Sequence, residues 1–267
     1  MLPLDSGDLL SWVCDQSFGT RHATLFDPAN QSPEESAKKA QTAVEAGSSM
    51  ILVGGSTDTD DDSVHATVSA IQEVLELRLW ASTQDTTGSE DDWRIPVILF
   101  PGGAHALSSS ADGILFMMLM NSKDPRFLID EQVKAAPWLH AHGIEMLPTG
   151  YLICNPGGKA GEIGRAELLN EEDEIQAYAL CAQGYGMRIV YLEAGSGAHT
   201  PVDTSLISAA SNQGICLFVG GGIRTQQQAR KAKEAGASWL VTGTLVEEQD
   251  NHGNLYKILT ELITGLR

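Results

Sequence analysis

The sequence predicts a parallel (β/α)8 TIM barrel folded as one domain over residues 1–267. Three observations carry this. Short, nearly uninterrupted apolar runs recur eight times, as expected of parallel strands covered on both faces. Longer stretches of helical character separate them. The length of 267 residues suits a single barrel, and no shift in composition marks a domain boundary.

The first four strands are read at 22–27 (HATLFD), 50–55 (MILVGG), 95–100 (IPVILF) and 113–119 (GILFMML). The fifth, at 144–155 (IEMLPTGYLICN), is expected to be interrupted. The last three are 188–194 (RIVYLEA), 215–221 (ICLFVGG) and 238–243 (SWLVTG). The stretch at 32–47 opens with Ser32 as N-cap, Pro33 at the first helical position and Glu35 three residues after the cap, and Gly47 closes it. A second helix at 225–236 ends in the same Glu-Ala-Gly, and a final amphipathic helix is read at 256–266. The polar, acidic segment 81–93 is read as a surface loop in a modified third repeat.

Composition narrows the function. Apolar residues make up 42%, enough for a sizeable core and too many for a disordered chain. The net charge of −18 opposes broad binding to nucleic acid or to an anionic membrane surface. It leaves room for a local phosphate site, because backbone N–H groups and a metal ion bind phosphate without a basic surface. The longest apolar run, at 114–120, is too short for a transmembrane segment, and the N-terminus lacks the basic region of a signal peptide. Four scattered cysteines (Cys14, Cys154, Cys181 and Cys216) form no Cys-x-x-Cys pair and read as reduced, buried thiols of a cytoplasmic protein.

In such a barrel the active site forms where strands end and loops begin. The strand ends read FDPAN, VGGST, FPGG, YLEAGSG, VGGGIRT and TGT: glycines and small hydroxyls, with two carboxylates, Asp27 and Glu193. Gly220, Gly221 and Gly222, with Gly243 and Thr244 from the next strand end, suit a phosphate cradle, and Arg224 adds charge. Tight strand-to-helix turns are the plainer explanation of the same glycines. Asp27 is an oxygen donor suited to Mg²⁺, with Ser56 a candidate neighbour; an Asp before a proline also starts turns. Tyr191 and Glu193 share one strand face by alternation.

Other features read as structural. The acidic run at 58–62 is expected to cap a helix rather than hold a metal. His140 and His142 lack further ligands at metal spacing and are read as surface residues. The methionine-rich stretch 116–120 is read as barrel core in preference to a groove lining.

Taken together, the strand ends resemble one family, the geranylgeranylglyceryl phosphate synthases, which make the first ether bond of archaeal membrane lipids. FDPAN, ILVGGST, VILFPG, FMMLMNS, GYLICNPGGKAGEIGRA, VYLEAGSGA, FVGGGIRT and VTGTLVEE carry the resemblance over nearly the whole chain. The forms GGST and MNS resemble the second of the family's two subgroups, so a homo-oligomer, dimer or hexamer, is implied. The resemblance implies Mg²⁺ and two substrates, sn-glycerol 1-phosphate and geranylgeranyl diphosphate. By motif, Asp27 and Ser56 match the metal site. Tyr191, Leu192, Glu193, Ala194, Gly195, Ser196 and Gly197 match the glycerol-phosphate site, with Gly220 to Gly222, Gly243 and Thr244. Where members often carry Asp-Pro-Asp-Lys, this chain has Asp27, Pro28, Ala29 and Asn30, and Leu25 stands where some carry a lysine. Positive charge toward the diphosphate must then come from elsewhere, with Lys159 and Arg224 the candidates.

The implied reaction joins the 3-hydroxyl of the glycerol to allylic C1 of the prenyl diphosphate. Glu193 either accepts the hydroxyl proton or only hydrogen-bonds the glycerol, and Tyr191 orients it. The competing readings are a relative using a longer heptaprenyl donor, another phosphate-binding barrel isomerase or lyase, and a barrel that only binds phosphorylated ligands.

Overall fold

The computed structural model describes residues 8–55, 59–83, 94–211 and 213–267. A short helix, α1 (Leu9–Cys14), precedes β1 (Arg21–Phe26), α2 (Pro33–Ala46), β2 (Met50–Val53), α3 (Asp61–Thr83) and β3 (Val97–Leu99). Next come β4 (Gly113–Leu119), α4 (Glu131–Ala141), β5 (Glu145–Ile153), α5 (Gly158–Ile163), α6 (Glu172–Gly184) and β6 (Ile189–Glu193). The chain closes with α7 (Thr204–Ser211), β7 (Cys216–Gly220), α8 (Gln226–Glu234), β8 (Trp239–Thr242), α9 (Thr244–Glu247) and α10 (His252–Thr264). All eight strands pair in parallel and in sequence order, and β8 returns to β1 to close the barrel.

Local chemistry sets the helix ends. The Ser32 hydroxyl accepts the Glu35 N–H, Pro33 sits at the first turn, and Gly47 ends α2 in the left-handed region at φ 113°. Thr225 and Gln228 form a reciprocal capping box on α8. The acidic run does cap a helix: Asp60 accepts the Ser63 N–H, and Asp61 and Asp62 lie in the first turn of α3. Asp58 lies outside the described residues.

Strand alternation divides the core in two. Met50, Leu52, Tyr191, Phe218 and Trp239 fill the barrel, while Ile51, Val53, Leu192 and Val219 face the helices. A chain of rings climbs the barrel, Trp12–Trp239–Phe218–Tyr191, with centroids 5.7, 5.6 and 5.9 Å apart. Helix α1 plugs the lower end. The Glu145 carboxylate accepts the N–H groups of Leu9 and Leu10 at 3.0 and 2.9 Å. The Arg21 guanidinium stacks over Trp239 at 4.0 Å and donates to the Val13 carbonyl.

Four expectations are corrected. The fifth strand is continuous despite Pro148. Its pairing with β6 begins only at Thr149 with Ile189, so the missing N–H removes no bond from that ladder. The third repeat departs in a different place from the polar insertion: α3 runs to Thr83, residues 84–93 lie outside the described set, and it is the β3–β4 connection, 100–112, that carries no helix. The cysteines are all free, but only Cys154 and Cys216 are buried, and Cys181 is exposed. Finally, Phe116 and Met117 are only half-buried, for the reason that follows from the missing helix.

Candidate active site

A cavity of about 550 Å³ opens at the carboxyl ends of the strands, a size suited to a small-molecule site. It has two ends of different chemistry. Asp27, Glu193, Ser196, Gly221, Gly222 and Thr244 line the end formed by β6, β7, β8 and β1. Leu107, Phe116, Met117, Phe127, Ala135 and Ile163 line the other, on the side of the helix-free β3–β4 connection. With no helix packed there, the apolar side chains after β3 and along β4 border open space. That space is an apolar groove, and the methionine-rich strand is its wall rather than closed core.

Glu193 is the last residue of β6 and points up the barrel interior. It is 6% exposed, and burial pushes its carboxyl up to about 7 although the Gly195 N–H donates to it at 2.6 Å. A carboxyl held near neutrality is suited to take a proton. The hydroxyl of Tyr191 adjoins this carboxylate, is fully buried and has no hydrogen-bond partner of good geometry. Burial, and then the charge of Glu193, push that phenol well above its ordinary range.

The glycines of β7 have a second reason to be glycine. A Cβ on Gly220 would lie 2.1 Å from the Tyr191 hydroxyl, and one on Gly221 would lie 2.4 Å from a Glu193 oxygen. Thr244 stitches the loops together: its hydroxyl accepts the Gly197 N–H at 3.1 Å and meets the Ser196 hydroxyl at 3.2 Å. Among the sequence-predicted residues, Leu192 and Ala194 pack toward the helices and do not line the cavity. Gly195 and Gly220 support it from behind. Arg224 lines it, but its guanidinium is bound by Glu248 at 2.6 and 3.0 Å. Lys159 also lines the cavity and is exposed. Ser56 lies outside the described residues.

Asp27 ends the first repeat's strand region with its carboxylate pressed against Gly55, where a Cβ would come within 2.2 Å. Its Oδ1 accepts the Ala29 N–H at 3.0 Å, the turn role expected of an Asp before proline. Glu247, from α9, stands beside it. Burial, and then the charge of Asp27, push the Glu247 carboxyl above its ordinary range, while Asn30 donates to it at 3.1 Å. Two crowded carboxylates at the mouth of a cavity are a hard oxygen-donor set that fits Mg²⁺, which takes one or two carboxylates and completes its shell with phosphate oxygens and water. Among the described residues no cluster of three or more His, Cys, Asp or Glu side chains suits a metal.

A family model described as the PcrB family matches residues 15–262. The chain belongs to the PcrB family. Among its relatives, the geranylgeranylglyceryl phosphate synthase of Methanothrix thermoacetophila is 39% identical over 268 residues, covering 99% of this chain and 96% of the relative. The solved (S)-3-O-geranylgeranylglyceryl phosphate synthase of Thermoplasma acidophilum, in complex with its substrate sn-glycerol-1-phosphate, superposes with a TM-score of 0.85 at 35% identity, covering 97% of this chain and 98% of that one. The wild-type enzyme of Thermoplasma volcanium gives the same TM-score of 0.85 at 38% identity, covering 97% of both chains. Full-length likeness at this level accounts for a single-domain barrel with this element order.

Sequence reasoning missed Glu247, Phe100 and Tyr151. Glu247 lies within the VTGTLVEE motif but in no recognisable metal spacing, and its place beside Asp27 comes from barrel closure between β8 and β1. Phe100 and Tyr151 are aromatic residues at strand ends, a signal that alternation alone does not separate from core.

Proposed function

We propose that this protein is a geranylgeranylglyceryl phosphate synthase, transferring a geranylgeranyl group from its diphosphate to the 3-hydroxyl of sn-glycerol 1-phosphate. The observation that carries this is the two-ended cavity, with a glycine-lined polar pocket joined to an apolar groove beside a carboxyl poised near neutrality. A phosphate-binding isomerase needs the first end and has no use for the second.

Glycerol 1-phosphate sits at the β6–β8 end. Backbone N–H groups of the Gly221–Gly222 and Gly243–Thr244 turns receive the phosphate, and Ser196 and Tyr191 orient the glycerol. Asp27, with Glu247 beside it, would hold Mg²⁺, which would supply charge neutralisation of the diphosphate leaving group. Lys159 supplies the further positive charge there, because Arg224 is held by Glu248. The prenyl chain lies along Phe116, Met117, Phe127 and Ile163, where burial of its apolar surface supplies binding. Glu193 takes the proton from the 3-hydroxyl as the ether bond forms.

The test is incubation of the protein with labelled glycerol 1-phosphate and prenyl diphosphates of several lengths, with and without Mg²⁺. An ether-linked product with the twenty-carbon donor is expected. Absence of any ether product overturns the reading, and a clear preference for a longer donor moves it to the heptaprenyl relative.

A further inference from the structure

Phe100, Tyr151 and Tyr191 come from three separate strand ends and meet as a closed triad. Their ring centroids lie 5.8 Å (Phe100–Tyr151), 5.5 Å (Phe100–Tyr191) and 5.2 Å (Tyr151–Tyr191) apart. All three adjoin the cavity. They sit where its two ends join. Tyr191 abuts Glu193, and Phe100 follows β3 next to the Gly54–Gly55 turn that packs against the Asp27 carboxylate. The groove wall of β4 pairs with the β5 strand that carries Tyr151. Phe100, half-buried, and Tyr151 are the part of the triad that reaches the cavity, and Tyr191 is packed behind them, stacked on Phe218.

We propose that Phe100 and Tyr151, backed by Tyr191, form an electron-rich floor that stabilises the allylic cation formed at C1 of the prenyl donor. The inference rests on the prenyl-transfer reading above. In the step, the C1–O bond of the donor breaks and its electron pair leaves with the diphosphate. The positive charge is shared between C1 and C3 of the allyl unit. The glycerol oxygen then bonds to C1, and its proton passes to Glu193. A cation over aromatic faces is attracted by their quadrupoles, most strongly when water is excluded. Tyr151 is buried and Tyr191 wholly so, which puts the floor in a dry environment.

The test replaces Phe100 with mono-, di- and trifluorophenylalanine. Fluorine withdraws density from the ring face while changing its size little. Single-turnover rates of ether formation are expected to fall stepwise with each fluorine, by about tenfold across the series, with glycerol 1-phosphate affinity unchanged. Rates that stay flat across the series overturn the floor. A second measurement uses the unaltered protein. An ammonium analogue of the allylic cation, with inorganic diphosphate, is expected to bind about tenfold tighter than its neutral carbon isostere, and equal affinity overturns the floor. An unaltered protein that makes no ether product removes the prenyl-transfer reading itself. An active protein with a flat fluorine series removes only the floor.

Discussion

At Glu193, burial and ionisation oppose each other, and both have measurable consequences. The carboxyl is raised to about 7 in the folded protein, so the stability of its neutral form is present below the ordinary carboxylate range and is lost as pH rises through 7. The penalty above that pH is on the order of 3 kcal/mol. Glu193→Gln removes it, because the amide oxygen still accepts the Gly195 N–H. Thermal melts at about pH 8 should therefore show the variant more stable than the parent, with the gain gone at about pH 4. The same variant should turn over at least about tenfold more slowly while binding glycerol 1-phosphate. The acid limb of kcat/KM near neutrality should vanish with it. Near-normal turnover would leave Glu193 as a glycerol hydrogen-bond partner only. For Asp27→Asn, the Mg²⁺ concentration giving half-maximal rate should rise, and an unchanged metal titration would count against its ligand role.

Elements explain why neighbouring residues have such different prospects. The β7 turn can hold Tyr191 and Glu193 only because Gly220 and Gly221 leave room for them. Gly220→Ala should push the Tyr191 ring toward the cavity, lowering kcat well before it lowers the melting temperature. Parallel activity and circular-dichroism melts would separate the two effects. On the other wall, β4 lines a groove because the β3–β4 connection lacks a helix. Met117→Trp should fill part of that groove, and competing ten-, fifteen- and twenty-carbon donors should then shift in favour of the shorter ones. An unchanged preference would place the tail elsewhere. Much of this was legible in the sequence at element level. Eight strands were found from eight apolar runs, because a parallel strand buried on both faces has few alternatives. The missing third helix was not, because the connection's Gly-, Ala- and Ser-rich composition carries no period to read.

For the molecule as a whole, the ring column from Trp12 to Tyr191 joins the plug at the lower end to the floor of the cavity. Arg21 anchors that plug while burial pulls its pKa down to about 10. Arg21→Ala should destabilise the fold by about 3 kcal/mol through lost packing and cation–π contact, read as a lower denaturation midpoint, while turnover of the folded fraction stays near normal. No helix among the described residues is long and apolar enough to cross a membrane.

The sequence by itself determined the barrel, the order of its strands, the acids Asp27 and Glu193, and the glycine turns that surround them. Those are local properties: apolar runs, strand alternation and small residues at strand ends can be read along one dimension. Only the tertiary structure decided that Glu247 stands beside Asp27, that Glu248 engages Arg224, and that Phe100, Tyr151 and Tyr191 meet. Closing the barrel brings residues from distant repeats within a few ångströms, and no pattern in the linear chain records which of them will face the same space.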